Sequence, residues 1–197
     1  NKDDLNGLPD DIVILAKEEA DNKYKKTSDI KYKNKFIFTS HRSSMYPFLT
    51  YSESRDLREK LYNGYIMRGD NNNEYDNKNI TAKIASLRVE KANILGFDTH
   101  AHYVLDNTMA KTPDAVYELL NQLWKPALNR AKDELQELQN FVNDEGQNFK
   151  IASWDWWHYS EKVRKEKYNL DEEEVKNFFT LDNVINGVFK TANKQAS

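Results

Sequence analysis

Histidine, serine, lysine and carboxylate side chains carry most enzyme chemistry, and their spacing here is informative. The chain has four histidines. A hydrolytic zinc helix needs His-Glu-x-x-His, because positions i and i+4 put two imidazoles on one face with the glutamate beside the bound water. None of these histidines is followed by glutamate. His100 and His102 stand about 200° apart around a helix, so they can share a metal only on a strand. His158 and Glu161, three apart, share a helical face with Trp154 and Trp157, which reads as an aromatic-lined core holding an internal His–Glu hydrogen bond. No Gly-x-Ser-x-Gly nucleophile turn occurs, and Ser43, Ser44 and Ser54 stand where helix caps are expected. Six scattered glycines build no phosphate loop. Carboxylates are too numerous for an acid–base pair to be picked out. One position stands apart: Lys91 falls near the middle of an apolar helical stripe, with Arg88 and Glu90 on either side. It is expected to be a snorkelling lysine with an interhelical ion pair, and Arg88 and Glu90 to reach different neighbouring helices.

The elements that would hold these groups are almost all helical. Glycine and proline total only ten of 197 residues, against about 12% in average chains, which argues against a turn-rich sandwich or barrel. Periodicity predicts helices over Leu8–Ala20, from Ser43, over Ser54–Met67 closed by Gly69, and over about 77–95 closed by Gly96. In the third, Leu57, Leu61, Tyr62 and Tyr65 face inward; in the fourth, Ile80, Ile84, Leu87 and Ile94 form the stripe. The asparagine-rich loop between these two favours turns and caps over binding. Thr112-Pro113-Asp114 is a strong start signal for a helix of some 30 residues, about 45 Å, with a kink near 122–126 at Pro126. Helices follow over about 154–167, over Asp171–Phe179 with acids 171–174 at its N-terminus, and over about 182–192. Phe36-Ile37-Phe38-Thr39 is the one β-type run, enough for a short strand or hairpin near 35–39. The expected fold is therefore all-α, a single helical unit over 1–197.

Composition narrows the partners. With 29 basic and 32 acidic residues the formal charge is −3, which supplies no global field for nucleic acid or anionic lipid. The exception is local: residues 23–35 hold six lysines against Asp29, interleaved with Tyr24 and Tyr32. Basic and aromatic residues together can bind single strands, but the segment reads as a solvated connector. No cysteine is present, which excludes disulfide scaffolds, thiolate metal sites and cysteine nucleophiles. No apolar run approaches the ~20 residues of a membrane helix, so no membrane insertion is expected.

An ordered series of short motifs is similar to one family. Leu5-Asn6-Gly7-Leu8-Pro9, Ser54-Arg55-Asp56-Leu57-Arg58-Glu59, Leu87-Arg88-Val89-Glu90-Lys91-Ala92, Leu95-Gly96-Phe97 and Met109-Ala110-Lys111-Thr112-Pro113 resemble the bacterial peptidyl-dipeptidases of the thimet oligopeptidase and oligopeptidase A family. The resemblance continues through Trp154-Asp155-Trp156-Trp157, Glu161-Lys162-Val163-Arg164-Lys165-Glu166-Lys167-Tyr168, Leu170-Asp171-Glu172 and Gly187-Val188-Phe189. It implies a two-lobed, mostly helical zinc metallopeptidase whose deep channel admits short unfolded peptides and whose product is a C-terminal dipeptide. The family's zinc helix lies downstream of the matched segment, so no catalytic, metal-binding or substrate-binding residue is carried over to a position here.

Two departures bear on this. His158 stands where relatives have an aromatic, which favours a packing role, and Lys194-Gln195-Ala196-Ser197 replaces the usual apolar-Gly continuation. The chain reads as an internal, noncatalytic, channel-forming fragment that binds no zinc itself and is inactive alone. Its partners would be the remaining catalytic part of the same polypeptide and short peptide substrates. His-Glu-x-x-His is expected roughly a hundred residues beyond Ser197 in the parent. Tyr and Arg side chains on the helices from Ser54 and Asn77 are the expected channel wall, and the cytoplasm the expected compartment, with export the alternative. A free-standing helical module that holds a peptide or partner helix is the competing reading.

Overall fold

The computed structural model describes residues 3–169 and 172–196, and of 172, 173 and 196 the backbone only. Its described residues form nine α-helices: α1 Asp10–Thr27, α2 Arg42–Tyr51, α3 Arg55–Ile66, α4 Lys78–Ile94, α5 His100–Leu105, α6 Pro113–Asp144, α7 Trp156–Tyr168, α8 Glu172–Lys176 and α9 Leu181–Ala196. Short 3-10 turns precede α1, α2 and α7.

Local chemistry accounts for the ends. Asp10 and Asp11 lie at the positive end of α1, and Ser28 closes it in the left-handed region, its N–H reaching the Tyr24 carbonyl at 2.7 Å. This carries α1 past the predicted end at Ala20 and takes Lys23, Lys25 and Lys26 into the helix. The Thr112 hydroxyl accepts from the Ala115 N–H and Pro113 opens α6, as their order predicts; the helix then continues unbroken through Pro126. The predicted start of α8 at Asp171 lies outside the described residues.

The packed centre is a chain of helix contacts. The last turns of α6 lie on α7, α7 lies on α2, and α2 touches both α1 and α3. Leu138 and Val142 of α6 meet Tyr159 and Val163 of α7, with Phe141, Phe149, Ile151 and Trp156 packed around them. The Gln139 side chain pins the segment between these helices: its amide donates to the Phe149 carbonyl at 2.9 Å and its oxygen accepts from the Ile151 N–H at 3.0 Å. Met45, Phe48 and Leu49 of α2 are buried on the other side, with Ala16 and Ala20 of α1.

Three expectations need correction. Residues 35–39 join no strand, and no strand occurs among the described residues: the Ile37 N–H donates to the Ala16 carbonyl of α1 at 2.9 Å and the Thr39 N–H to the Ser44 hydroxyl of α2 at 3.0 Å. Helices thus satisfy the amides of Ile37 and Thr39, on the edge where a partner strand could have lain. On α3 Leu57, Leu61, Tyr62 and Tyr65 are half-buried, with Tyr62 packed 6.3 and 6.1 Å from the ring centroids of Trp154 and Trp157, but the fully buried residue is Arg58, which the sequence reading does not include. On α4 the stripe of Ile80, Ile84, Leu87 and Ile94 is exposed, and Ala92 alone is buried, because α5 is the helix that covers this element.

Exposure of this kind is widespread. Leu119, Leu120, Leu123 and Trp124 on α6 and Val184, Ile185, Val188 and Phe189 on α9 are also uncovered. The accessible surface is 15292 Å², whereas a compact monomer of this mass exposes about 9,700 Å².

Candidate functional site

The most highly organised polar group joins α3 to the turn before α7. Asp155 is fully buried. Its Oδ2 accepts from Arg55 Nη2 at 2.9 Å, Arg55 Nε at 3.1 Å and the Ala152 N–H at 3.1 Å; its Oδ1 accepts from Arg58 Nη2 at 3.0 Å. Arg58 is buried as well, and its Nη1 donates to the Ser52 carbonyl at 2.7 Å. The Arg55 guanidinium is stacked 4.3 Å from the centroid of Phe149 and 5.6 Å from that of Trp154. α3 places Arg55 and Arg58 one turn apart on one face, so both converge on a single carboxylate. Arg55, Arg58 and the Ala152 N–H thus surround that carboxylate with donors. The cluster is a clamp between segments a hundred residues apart.

His158 lies beside this clamp and is buried. Its Nδ1 is 3.0 Å from the Thr50 carbonyl, which can only accept, so Nδ1 carries the proton and Nε2 presents a lone pair. Nε2 is 3.8 Å from the Glu53 carboxylate. Burial lowers the imidazole pKa to about 4, helped by the charges of Arg58 and Lys162. The core role read from the sequence holds, but the partner does not: Glu161 pairs with Arg164 at 2.7 Å, and the Thr50 carbonyl takes the imidazole instead. Lys162 reaches across to Glu145 at 2.9 Å, tying α7 to the end of α6.

The other singled-out residues stay apart. His100 and His102 lie on α5, where two-residue spacing turns them away from each other; His102 Nδ1 is 2.8 Å from the Thr99 hydroxyl. Among the described residues no three His, Asp or Glu side chains converge to hold a metal. The described residues therefore do not assemble a zinc site. Lys91 lies with its ammonium 4.8 Å from the Tyr103 ring centroid, a cation–π contact in place of the expected ion pair. Arg88 and Glu90 are both exposed, and neither reaches a neighbouring helix among the described residues, which overturns that expectation. The cause is the one that exposes the α4 stripe, the lack of a helix packed on that side.

Two charged segments hold internal ion pairs. In the loop before α4, the Lys78 ammonium is 2.6–2.8 Å from oxygens of Asp70, Asn72 and Asp76. Its hydrogen bond to Asp76 lowers that carboxyl to about 2. In the basic segment, Lys31 pairs with Asp29 at 2.8 Å and covers the Tyr32 ring at 4.8 Å. That ring is thus no open stacking platform for a base. No described helix is long and apolar enough to cross a membrane.

A cleft of about 850 Å³ lies between residues 4–5, residues 34–40, α2 and α3, with Phe36, Phe38, Phe48, Leu57 and Leu61 among its walls. Sequence reading missed both this cleft and the clamp. The sequence reading assigns the Arg side chains of the helix from Ser54, Arg55 and Arg58 among them, to a channel wall, and the one available signal for the clamp is Asp155, an acid embedded among three tryptophans.

The described residues thus form a helical scaffold fastened by an Arg–Asp clamp and carrying an apolar cleft. Comparison with known proteins supplies the family. The profile of peptidase family M3 matches residues 48–195, most of the chain, and the protein belongs to that family. It is 34% identical over 194 residues to oligopeptidase A of Haemophilus influenzae, and 33% identical over 191 residues to dipeptidyl carboxypeptidase of Escherichia coli. Each of these alignments covers 96% of this chain and 27% of the relative. Saccharolysin of Saccharomyces cerevisiae is 28% identical over 195 residues. The chain thus spans about a quarter of the length of the curated relatives it matches.

Proposed function

We propose that this chain is the noncatalytic part of a zinc metallopeptidase that releases C-terminal dipeptides from short unfolded peptides. In this reading residues 1–197 are one helical unit, with 23–35 as a basic connector, and supply scaffold and channel wall. The zinc and its ligands belong to the rest of the polypeptide, as does the chemistry, and the 197 residues alone are inactive. The observation that carries the reading is the similarity to dipeptidyl carboxypeptidase along 96% of the chain. The uncovered apolar faces of α4, α6 and α9 support it, since a lobe of a larger enzyme rests such faces on its other parts. The compartment we assign is the cytoplasm.

The experiment compares the parent polypeptide with the 197-residue chain on an N-blocked tetrapeptide, with and without a zinc chelator, following dipeptide release by mass spectrometry. Release by the parent, abolished by chelation and restored by zinc, is the expected result. Release by the 197-residue chain, or an inactive zinc-loaded parent, overturns the proposal.

A further inference from the structure

Residues 35–39 alternate in both side chain and backbone. Phe36 and Phe38 line the 850 Å³ cleft, whereas Ile37 and Thr39 line a second hollow against α1. The N–H groups of Lys35, Ile37 and Thr39 donate to Tyr32, Ala16 and Ser44 at 3.3, 2.9 and 3.0 Å. Those of Phe36 and Phe38 meet no acceptor among the described residues. In an extended chain the amides of residues i and i+2 share one edge, so one edge of this segment is docked on helices and the other is open. The open edge belongs to the residues whose rings form the cleft.

The cleft's charge leans positive: Lys35 and Lys60 line it, both exposed and without an ion pair among the described residues, against one acid, Asp4. Its volume falls within the roughly 300–1,000 Å³ range of ligand sites. We propose that this cleft binds an extended peptide along the Phe36–Phe38 edge, with an apolar side chain on the phenylalanine floor and a carboxylate at Lys35 and Lys60. Backbone pairing supplies affinity and the alternate side chains supply selectivity, as in other strand-addition sites. The site would hold apolar, acidic peptides. A second copy is a poor occupant, because pairing this edge with itself sets lysine against lysine. That the occupant is a free peptide rests on the peptidase reading; the binding itself does not.

The α3 backbone offers a clean block. A Cβ at Gly64, which lines the cleft, meets no atom within 4 Å, so Gly64→Leu fills the space without disturbing the helix. The probe is a fluorescein-labelled heptapeptide of alternating Phe and Glu, with a Phe/Lys control, titrated into the 197-residue chain and followed by anisotropy. Saturable binding of the Glu peptide is expected, about tenfold weaker to Gly64→Leu and to Lys35→Glu/Lys60→Glu, with the doubly reversed variant preferring the Lys peptide. Hydrogen exchange at the Phe36 and Phe38 amides should slow on binding while that at Ile37 is unchanged. Circular dichroism melts establish that the variants fold.

No binding, equal binding of the two peptides, or indifference to the variants overturns the proposal. So does a dimer that Gly64→Leu abolishes, or a parent polypeptide whose Gly64→Cys thiol is shielded and which takes no peptide, since its own chain then fills the cleft. Because the readout is binding and not dipeptide release, an inactive parent with a working cleft sinks only the peptidase reading. An active parent with no cleft binding sinks only this one.

Discussion

Arg58 of α3 ends on Asp155, 97 residues later, with Nη2 3.0 Å from Oδ1 and only 1% and 0% of the two residues exposed. A buried ion pair adds little over a well-packed apolar pair, but removing one partner strands a charge and costs about 3–5 kcal/mol. Asp155→Ala should therefore lower stability by that amount in urea unfolding followed by tryptophan fluorescence. Arg58→Ala should cost less, because Arg55 and the Ala152 N–H still hold Asp155, and the double variant should lose less than the sum, because the two residues share one interaction. The exposed Arg130–Glu134 pair is the control, and its removal should change stability by no more than about 0.5 kcal/mol. A full additive loss in the double variant would show that the clamp is not a single unit.

Beside the clamp, His158 sets a pH dependence. Its pKa falls from 6.5 in the unfolded chain to about 4 when folded, so between these values the unfolded state holds the extra proton. The stabilisation is complete above about pH 6.5 and is lost as pH falls toward 4, with the gap in pKa limiting the loss to about 3 kcal/mol. Urea midpoints from pH 7.5 to 4.5 should drop accordingly, and His158→Phe should flatten that part of the curve while losing the hydrogen bond to Thr50. An unchanged slope in the Phe variant would assign the dependence to other groups.

Two glycines should respond in opposite directions. Gly7 has φ +83°, and a Cβ there would lie 2.3 Å from the Tyr51 carbonyl oxygen and 2.9 Å from Glu53 Cγ. Residues 6–7 lie against 51–53, where the Glu53 N–H donates to the Asn6 carbonyl at 3.0 Å. Gly7→Ala should cost more than about 1 kcal/mol, whereas Gly64→Ala, in the open α3 helix, should gain about 0.5–1 kcal/mol. Thermal melts of the pair decide it; a neutral Gly7→Ala would mean that this contact yields easily.

What the sequence discloses and what it hides follow the range of the forces involved. The start of α6 is written in three adjacent residues, Thr112, Pro113 and Asp114, because capping and a fixed proline φ are local effects. The clamp is not, since nothing within α3 distinguishes Arg58 from its charged neighbours until Asp155 arrives from 97 positions away. His158 was placed correctly in the core, yet its partner is a backbone carbonyl of α2, and backbone acceptors leave no signature in side-chain spacing. The α4 stripe is the instructive failure. Ile80, Ile84, Leu87 and Ile94 do have helical apolar spacing, but spacing tells which face wants cover and not whether anything in these residues supplies it.

That uncovered surface yields the last prediction. An accessible area of 15292 Å² against about 9,700 Å² for a compact protein of this mass leaves far more apolar surface in water than monomers tolerate. The isolated chain should self-associate at tens of micromolar and bind a hydrophobic dye, as read by sedimentation velocity and fluorescence enhancement. Leu120→Glu and Leu123→Glu together put charge on the exposed stripe of α6, and Val184→Glu with Val188→Glu do the same on α9. Either pair should reduce association without lowering the unfolding midpoint, because neither stripe packs against the described core. A chain that stays monomeric and dark to the dye would show that these faces need no cover, and the support they lend to the enzyme-lobe reading would be withdrawn.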